Sequence, residues 1–409
     1  MTKFGLKIYF LFVVSWFLHL PSRIPVLGIM RFDLISVVVL TLLAVLKRER
    51  GYKVILETDK TLRILIAYAI CTIPFVEWPG SVIRNGLENF IKAAVFYYFT
   101  VSFLRSERDL RKFLVVFLGC QSWRILEPVY LHVTEGYWGS AASMAGWQVL
   151  DRLSGAPHDV INPNGLAFVI CTVLPFFYFM FSLSWKIAVA VLLTTSLSLY
   201  ALALTGSRSG IVGLLVIFGG ILAKSKKRML VGSVGVVIGI VGFYILAPDM
   251  QDRYLSIFGK AEKNRETFEG RYEGVFDDFV VAMRRPLFGH GLGSSREANA
   301  NFRGVDQPSH NLYSECAQEI GFAGLVIFIA FIKSVVINFV KSEKSARLRE
   351  RSAFLGKVLD AMQVWLAMNI VFSFASYGLS SYEWYLFGGL SVVMRRLNDG
   401  KSGGSVGSV

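Results

Sequence analysis

The sequence predicts an all-α integral membrane protein with about 12 transmembrane helices, and its composition is the first support for that fold. Of the 409 residues, 54% are hydrophobic, 14% are aromatic and only 18% are charged. Soluble globular proteins carry about a quarter charged residues. The chain therefore has too little polar surface for a soluble multidomain fold.

Apolar segments long enough to span a bilayer are the second support. A transmembrane helix needs about 20 mostly apolar residues. The predicted spans lie near 4–20, 25–46, 62–77, 88–104, 112–130, 165–183, 186–204, 208–223, 229–247, 320–340, 358–377 and 383–396. The fifth span is unusual because it contains Arg124 and Glu127, and the last span is short.

The distribution of basic residues is the third support. The formal net charge is +14, which by itself would also suit a nucleic-acid-binding protein. The basic residues, however, cluster in connections 47–63, 105–112, 224–228 and 341–357. Twelve spans place all four on one side of the membrane, as the positive-inside rule requires of cytoplasmic loops. Cytoplasmic termini follow, and nucleic acid is not expected as a partner.

The predicted organisation is one polytopic membrane domain, 1–397, followed by a disordered cytoplasmic tail, 398–409. Two long connections, 131–164 and 248–319, lie on the outer face, which is periplasmic in a bacterium. Lys3 and Lys7 before an apolar run resemble a signal peptide, but no small-x-small cleavage site follows, so we expect an uncleaved first helix.

Four scattered cysteines form no CxxC pair and no metal-ligand spacing. We interpret them as buried thiols without disulfides or metal.

The second outer loop contains a predicted amphipathic helix at 271–285. Apolar side chains from Val275 to Met283 share one helical face, which suits a helix at the membrane surface, and Pro286 ends it. The sequence FGHGLGSS (288–295) follows. It is neither a Walker loop nor a dinucleotide fingerprint. Its glycines favour a tight turn, with anion binding by backbone N–H groups as the alternative.

His310 is the histidine whose position favours a functional role. Ser309 is predicted to cap a helix that begins at His310, at the outer membrane boundary and beside Asn311 and Glu315. His19, His132 and His290 are interpreted as structural.

Arg208 is the only charged residue in an apolar stretch of about 35 residues, and it lies within TGSRSG (205–210). An arginine there is costly unless it faces a polar cavity or snorkels to the interface, and both alternatives remain open. Residues 154–168 bring Asp159, Asn162 and Asn164 to the same outer face. Arginines and a histidine converging there suit a phosphate-bearing lipid substrate, because guanidinium groups match phosphate oxygens.

At these residues the chain resembles the O-antigen ligase and polymerase superfamily. The resemblance covers about residues 150–340 and rests on four segments in order. They are NPNG (162–165), TGSRSG (205–210), the helix of Arg271 with RRPLFGHGLG (284–293), and SHNLYSECAQEIGFAGL (309–325).

The resemblance implies a GT-C-like, metal-independent, inverting glycosyltransferase in the bacterial inner membrane, with its active site facing the periplasm and no cofactor. Its donor would be an undecaprenyl-diphosphate-linked glycan in the membrane lipid. Its acceptor would be a glycan or lipid A-core, and lipid A-core, the acceptor of a ligase, is the slightly favoured interpretation. Arg208 and Arg271 would hold the diphosphate, and His310 would be the essential histidine. The further substrate-binding residues expected are Arg284, Arg285, Asn311, Asn164 and Ser207.

Two alternative functions remain open. A polymerase of the same superfamily would transfer the glycan to the next lipid-linked repeat and would carry the same motifs. A transporter or flippase predicts internal repeats and several intramembrane charges. No repeat is visible, and the candidate intramembrane charges are Lys92, Arg124, Glu127, Lys333 and Asp360.

Overall fold

The computed structural model describes residues 2–46, 56–139, 152–159, 161–246, 248–255, 265–345, 350, 352–376 and 378–399. Within these ranges every regular element is helical and no strand occurs. The all-α prediction is confirmed for this part of the chain. Parts of both predicted outer loops (140–151 and 256–264) and the tail from 400 onward lie outside the described residues.

Helices of very different lengths follow one another along the chain. The first half contains α1 (Thr2–Leu18), α2 (Leu20–Arg23), α3 (Pro25–Ile29), α4 (Phe32–Leu46), α5 (Glu57–Cys71), α6 (Pro79–Ser81), α7 (Leu87–Phe103), α8 (Glu107–Glu135) and α9 (Pro163–Met180). The second half contains α10 (Trp185–Thr205), α11 (Arg208–Lys224), α12 (Arg228–Ile245), α13 (Pro248–Leu255), α14 (Arg265–Ala282), α15 (Ser295–Arg303), α16 (Leu312–Lys344), α17 (Ala353–Phe372) and α18 (Tyr382–Asn398).

A helix lies at each of the 12 predicted spans, but their lengths differ. Four segments of the described chain are long and apolar enough to cross a membrane: Pro163–Leu183, Trp185–Thr205, Leu312–Lys344 and Ala353–Phe372. These apolar helices indicate a membrane protein. The number of crossings stays a prediction.

The helix ends separate into two faces. At one, here called the site face, the Leu312 amide donates to the Ser373 carbonyl, which joins the start of α16 to the end of α17. At the opposite face, Lys224 at the end of α11 contacts Glu343 and Asp360, each at 3.0 Å. The described basic clusters near 105–112, 224–228 and 341–345 lie at this opposite face, in keeping with the predicted charge asymmetry.

Charged residues inside the predicted fifth span are paired. In the continuous helix α8, both Arg124 Nε and Nη2 donate to the buried carboxylate of Asp159, at 2.6 and 3.0 Å. Glu127 accepts two hydrogen bonds from Arg23. Buried charges persist where partners satisfy them. Arg124 and Glu127, the charged residues that make this span unusual, therefore form pairs that join α8 to neighbouring segments.

The cysteine prediction is wrong at one position. Cys120, Cys171 and Cys316 are buried free thiols, but Cys71 is exposed at the end of α5. All four are free, so no disulfide constrains the bundle.

Candidate active site

The turn between α10 and α11 places Arg208 at the site face. Gly206 ends α10 in the left-handed conformation (φ 55°), which glycine adopts without strain. Ser207 then caps α11, its hydroxyl oxygen accepting from the Gly210 amide at 3.2 Å. Arg208 is the first residue of α11 and only 7% exposed. The predicted binding residue Ser207 thus has a local capping role as well.

Two further arginines hold this turn. Arg152 donates from Nε to the Thr205 carbonyl at 2.7 Å, and Arg253 donates from Nε to the Gly206 carbonyl at 2.6 Å. Both bonds satisfy carbonyls at the end of α10, where a helix leaves acceptors without internal partners. Three arginines therefore converge on residues 205–208, which are here called the arginine turn.

Asn164 joins the arginine turn to the start of α9. Its side-chain oxygen accepts from Arg152 Nη2 at 3.1 Å and from the Ser207 hydroxyl at 2.9 Å. Asn162, two residues earlier, caps α9. A Cβ atom at Gly210 would lie 2.8 Å from the Ala167 Cβ, so α9 and α11 approach closely here. Two helix amino ends, whose dipoles favour anions, thus meet beside the arginines.

His310 lies at the same face, in the segment before α16. It is exposed to solvent. The predicted cap is wrong by two residues: α16 begins at Leu312, and the Asn311 side chain accepts from the amides of Tyr313 and Ser314. Asn311 was predicted to bind substrate, and in the structure it caps α16 and donates to the Phe374 carbonyl at 3.2 Å.

Ser309 is instead part of a buried network around Asp278 of α14. The Ser309 hydroxyl donates to the Asp278 carboxylate at 2.6 Å. The same carboxylate accepts from four other side chains, and it is only 3% exposed. Those donors are Asn299, Arg303, Ser314 and Gln318. One carboxylate therefore fixes α14, α15, α16 and the residue before His310 relative to one another.

Helix α14 has an exposed apolar stripe near its carboxyl end. Phe276, Val280 and Met283, the residue after the helix, are each at least 58% exposed, whereas Asp278 and Val281 are buried. Such a stripe suits a helix whose outer face meets lipid. Arg271 lies in the same helix, but its side chain falls outside the described residues.

The glycine loop 288–295 packs into a break in α16 at Gly321, which has non-helical dihedral angles. The amides of His290 and Gly291 donate to the carbonyls of Gln318 and Glu319, which the break makes available. The Gly293 amide donates to the Glu319 carboxylate at 2.7 Å. Tight packing explains these glycines, and the group that accepts hydrogen bonds from this loop is the protein's own Glu319 side chain.

The two predicted substrate-binding arginines after α14 have protein partners. The Arg285 guanidinium forms an ion pair with Glu77 and donates to the Phe75 carbonyl. The Arg284 guanidinium lies 4.6 Å from the centre of the Phe302 ring, a cation–π contact. Arg285 thus joins the loop to the segment before α6. Arg284 remains exposed at the surface.

The carboxyl end of α17 connects the arginine turn to the His310 segment. On one side, Phe372 contacts the α9 residue Phe168, with ring centres 4.8 Å apart, and borders Gly213 of α11. On the other side, the carbonyls of Ser373 and Phe374 accept from Leu312 and Asn311. The site face therefore carries both regions, on either side of this helix end.

Sequence reasoning missed Arg152, Arg253, Asp278 and Glu319. Arg152 and Arg253 lie within the predicted outer loops, where charged residues usually face water, and no local pattern distinguishes them. Asp278 and Glu319 are buried in the structure, but the hydrophobic pattern of 271–285 placed Asp278 on the polar face, so its burial was visible only in the fold. Among the described residues, no three His, Cys, Asp or Glu side chains are grouped closely enough to hold a metal ion.

Comparison with known proteins identifies one family. Residues 193–329 match the O-antigen ligase family, a span that contains Arg208, Arg271, the glycine loop and His310. This part of the chain is therefore similar to proteins of that family, in agreement with the resemblance seen in the sequence motifs. This family implies a glycosyltransferase-like enzyme acting on lipid-linked glycans. No curated protein matches the chain closely enough to add to this.

Proposed function

We propose that this protein, through the segment that matches the O-antigen ligase family, transfers a glycan from undecaprenyl diphosphate to lipid A-core at the periplasmic face of the inner membrane. The observation that carries the proposal is the arginine turn. There, two helix amino ends and three arginines converge on the same face as His310. That arrangement suits a reaction in which a diphosphate leaves near a side chain that can accept a proton.

The arginine turn would hold the donor diphosphate. Arg208 stands at the amino end of α11, where the helix dipole and a guanidinium attract the same anion. Arg152 and Arg253 fix the turn through their bonds to Thr205 and Gly206. As the sugar–phosphate bond breaks, negative charge grows on the diphosphate, and pre-oriented guanidinium groups stabilise that charge. A metal ion is not needed for this role in the proposed mechanism.

His310 would act on the acceptor. A hydroxyl of lipid A-core attacks the anomeric carbon from the face opposite the diphosphate, so a new carbon–oxygen bond forms as the old one breaks with inversion. The hydroxyl proton passes to the His310 imidazole and then to solvent. Histidine suits this step because its unperturbed pKa of about 6.5 lies near neutral pH. Its exposure leaves room for a large acceptor.

A deletion strain examined on a lipopolysaccharide gel tests the proposal. Loss of all capped core, restored by the wild-type gene but not by Arg208→Ala at equal protein level, is the expected result. A single-repeat band would assign the protein to polymerisation instead. An unchanged gel would overturn a role in lipopolysaccharide assembly.

A further inference from the structure

A groove between α11 and α12 opens at the opposite face, away from the candidate active site. Its volume is about 700 Å³, and most of its lining is apolar, including Leu222 of α11 and Val236 and Val237 of α12. Arg228 lines the end that lies at the α11–α12 connection. This groove is not used by the proposed reaction.

Helix α12 packs against α11 over only part of its length. A Cβ atom at Gly235 would lie 2.2 Å from the Phe218 ring, and one at Gly232 would lie 3.7 Å from Leu222. Farther along the helix, a Cβ atom at Gly239 or Gly242 would meet no neighbouring atom of the described chain within 4 Å. Every described side chain of α12 is at least partly exposed. The apolar walls of the groove are therefore open to the surroundings of the protein.

Positive charge at the end of the groove is not neutralised within the described chain. Lys224 is paired with Glu343 and Asp360. Lys226, Lys227 and Arg228 are exposed, and no ion pair joins them to a carboxylate in the described ranges. The Arg228 guanidinium folds back onto the carbonyls of Ser225 and Ala223, which keeps it at the mouth of the groove.

We propose that this groove binds an anionic phospholipid. Its phosphate would lie against Lys226, Lys227 and Arg228, and an acyl chain would lie along the apolar walls between α11 and α12. Charge complementarity selects this occupant, since basic pockets between transmembrane helices favour anionic head groups. A zwitterionic lipid offers the same acyl chains without the net negative charge. The site is independent of the glycan transfer proposed above.

The purified full-length protein provides the test, by native mass spectrometry with phosphatidylglycerol and phosphatidylethanolamine. We expect tighter binding of phosphatidylglycerol to the wild type. The double variant Lys226→Gln/Lys227→Gln should weaken it roughly tenfold or more, because basic residues at a membrane surface contribute strongly to anionic lipid binding. The matched control, Lys341→Gln/Lys344→Gln, removes the same charge from the same face and should bind like the wild type.

A second variant tests the groove itself. Gly232→Leu fills it without changing charge and should also weaken phosphatidylglycerol binding. Equal affinity in the wild type, both lysine variants and Gly232→Leu would overturn the proposal. It would also be overturned if Gly232→Leu left lipid binding unchanged and only dissociated a dimer, since the groove would then hold a second copy of the chain.

Discussion

The Ser309 hydroxyl donates a 2.6 Å hydrogen bond to the buried carboxylate of Asp278. That bond holds the residue before His310 against α14, the helix that also contains Arg271. Asp278 therefore links α14, the helix that contains the predicted catalytic residue Arg271, to Ser309, the neighbour of the predicted catalytic residue His310. The network around Asp278 is therefore the means by which the fold orients the His310 segment.

Loss of the Asp278 carboxylate should disturb both stability and turnover. Asp278→Ala leaves Arg303 and four neutral donors without their acceptor, and we expect a loss of about 3–5 kcal/mol. The control is Asp277→Ala, whose exposed carboxylate pairs with Arg303 at 2.8 Å and should cost about 0–1 kcal/mol. Thermal unfolding in detergent measures the difference. Equal losses of unfolding free energy in the two variants would show that Asp278 contributes no more to stability than the exposed Asp277.

Arg208 should not be replaceable by lysine. A lysine keeps the charge but cannot reproduce the planar fork of a guanidinium. We expect Arg208→Lys to lower turnover about 10- to 100-fold, since a hydrogen bond to a charged group contributes about 1.5–3 kcal/mol. Arg296→Lys, at an exposed arginine paired with Asp306, should retain wild-type turnover. Full activity in Arg208→Lys would contradict diphosphate binding by the Arg208 guanidinium. It would favour the alternative, in which Arg208 only snorkels to the membrane interface.

Removal of the His310 imidazole should abolish most catalysis without abolishing donor binding. General-base catalysis contributes about 10²–10⁴-fold, and His310→Ala should lose at least that factor in a purified transfer assay. His158→Ala removes another exposed histidine and serves as the control. EDTA should not affect the wild type. Near-normal rates in His310→Ala, or inactivation by chelation, would refute the proposed mechanism.

Acid should destabilise the glycine loop through His290. Burial lowers the pKa of His290, whose Nε2 lies 3.0 Å from the Val281 carbonyl and whose Nδ1 has no hydrogen-bond partner in the described chain. A folded pKa below the unfolded one favours the neutral form. The stabilisation is therefore complete above the unfolded pKa of about 6.5 and is lost as the pH falls below it.

Thermal unfolding at pH 7.5 and pH 5.0 measures this effect. The unfolding temperature of the wild type should change less favourably from pH 7.5 to pH 5.0 than that of a variant without the imidazole. His290→Phe keeps a ring between Trp78 and Phe302 but does not titrate, so its pH dependence should be smaller. An identical pH dependence in both proteins would rule out His290 as the source.

Labelling with an impermeant thiol reagent tests the predicted orientation. In a variant whose exposed Cys71 is replaced by serine, Asn301→Cys should react in whole cells and Lys344→Cys should not. Both positions are exposed in the fold, so their reactivity reports the side of the membrane. The reverse pattern would place the candidate active site in the cytoplasm.

The sequence alone determined the helical class, the approximate positions of the helices and the order of the motifs. These properties depend on local information: apolar run length, small and capping residues, and the alternation of basic connections. It also singled out Arg208 and His310 as candidate site residues, because an isolated arginine in an apolar run and a histidine near a helix start are visible without a fold.

Only the tertiary structure decided which charged residues act together. Arg152 and Arg253 reach the same turn from loops about 100 residues apart in the sequence, and Asp278 gathers donors from three other segments. The structure also assigned Arg285 to Glu77 and the glycine loop to Glu319. Such partners are chosen by the packing of distant helices, where each buried charge or backbone donor must find an acceptor. A local sequence pattern does not specify which distant residues become partners.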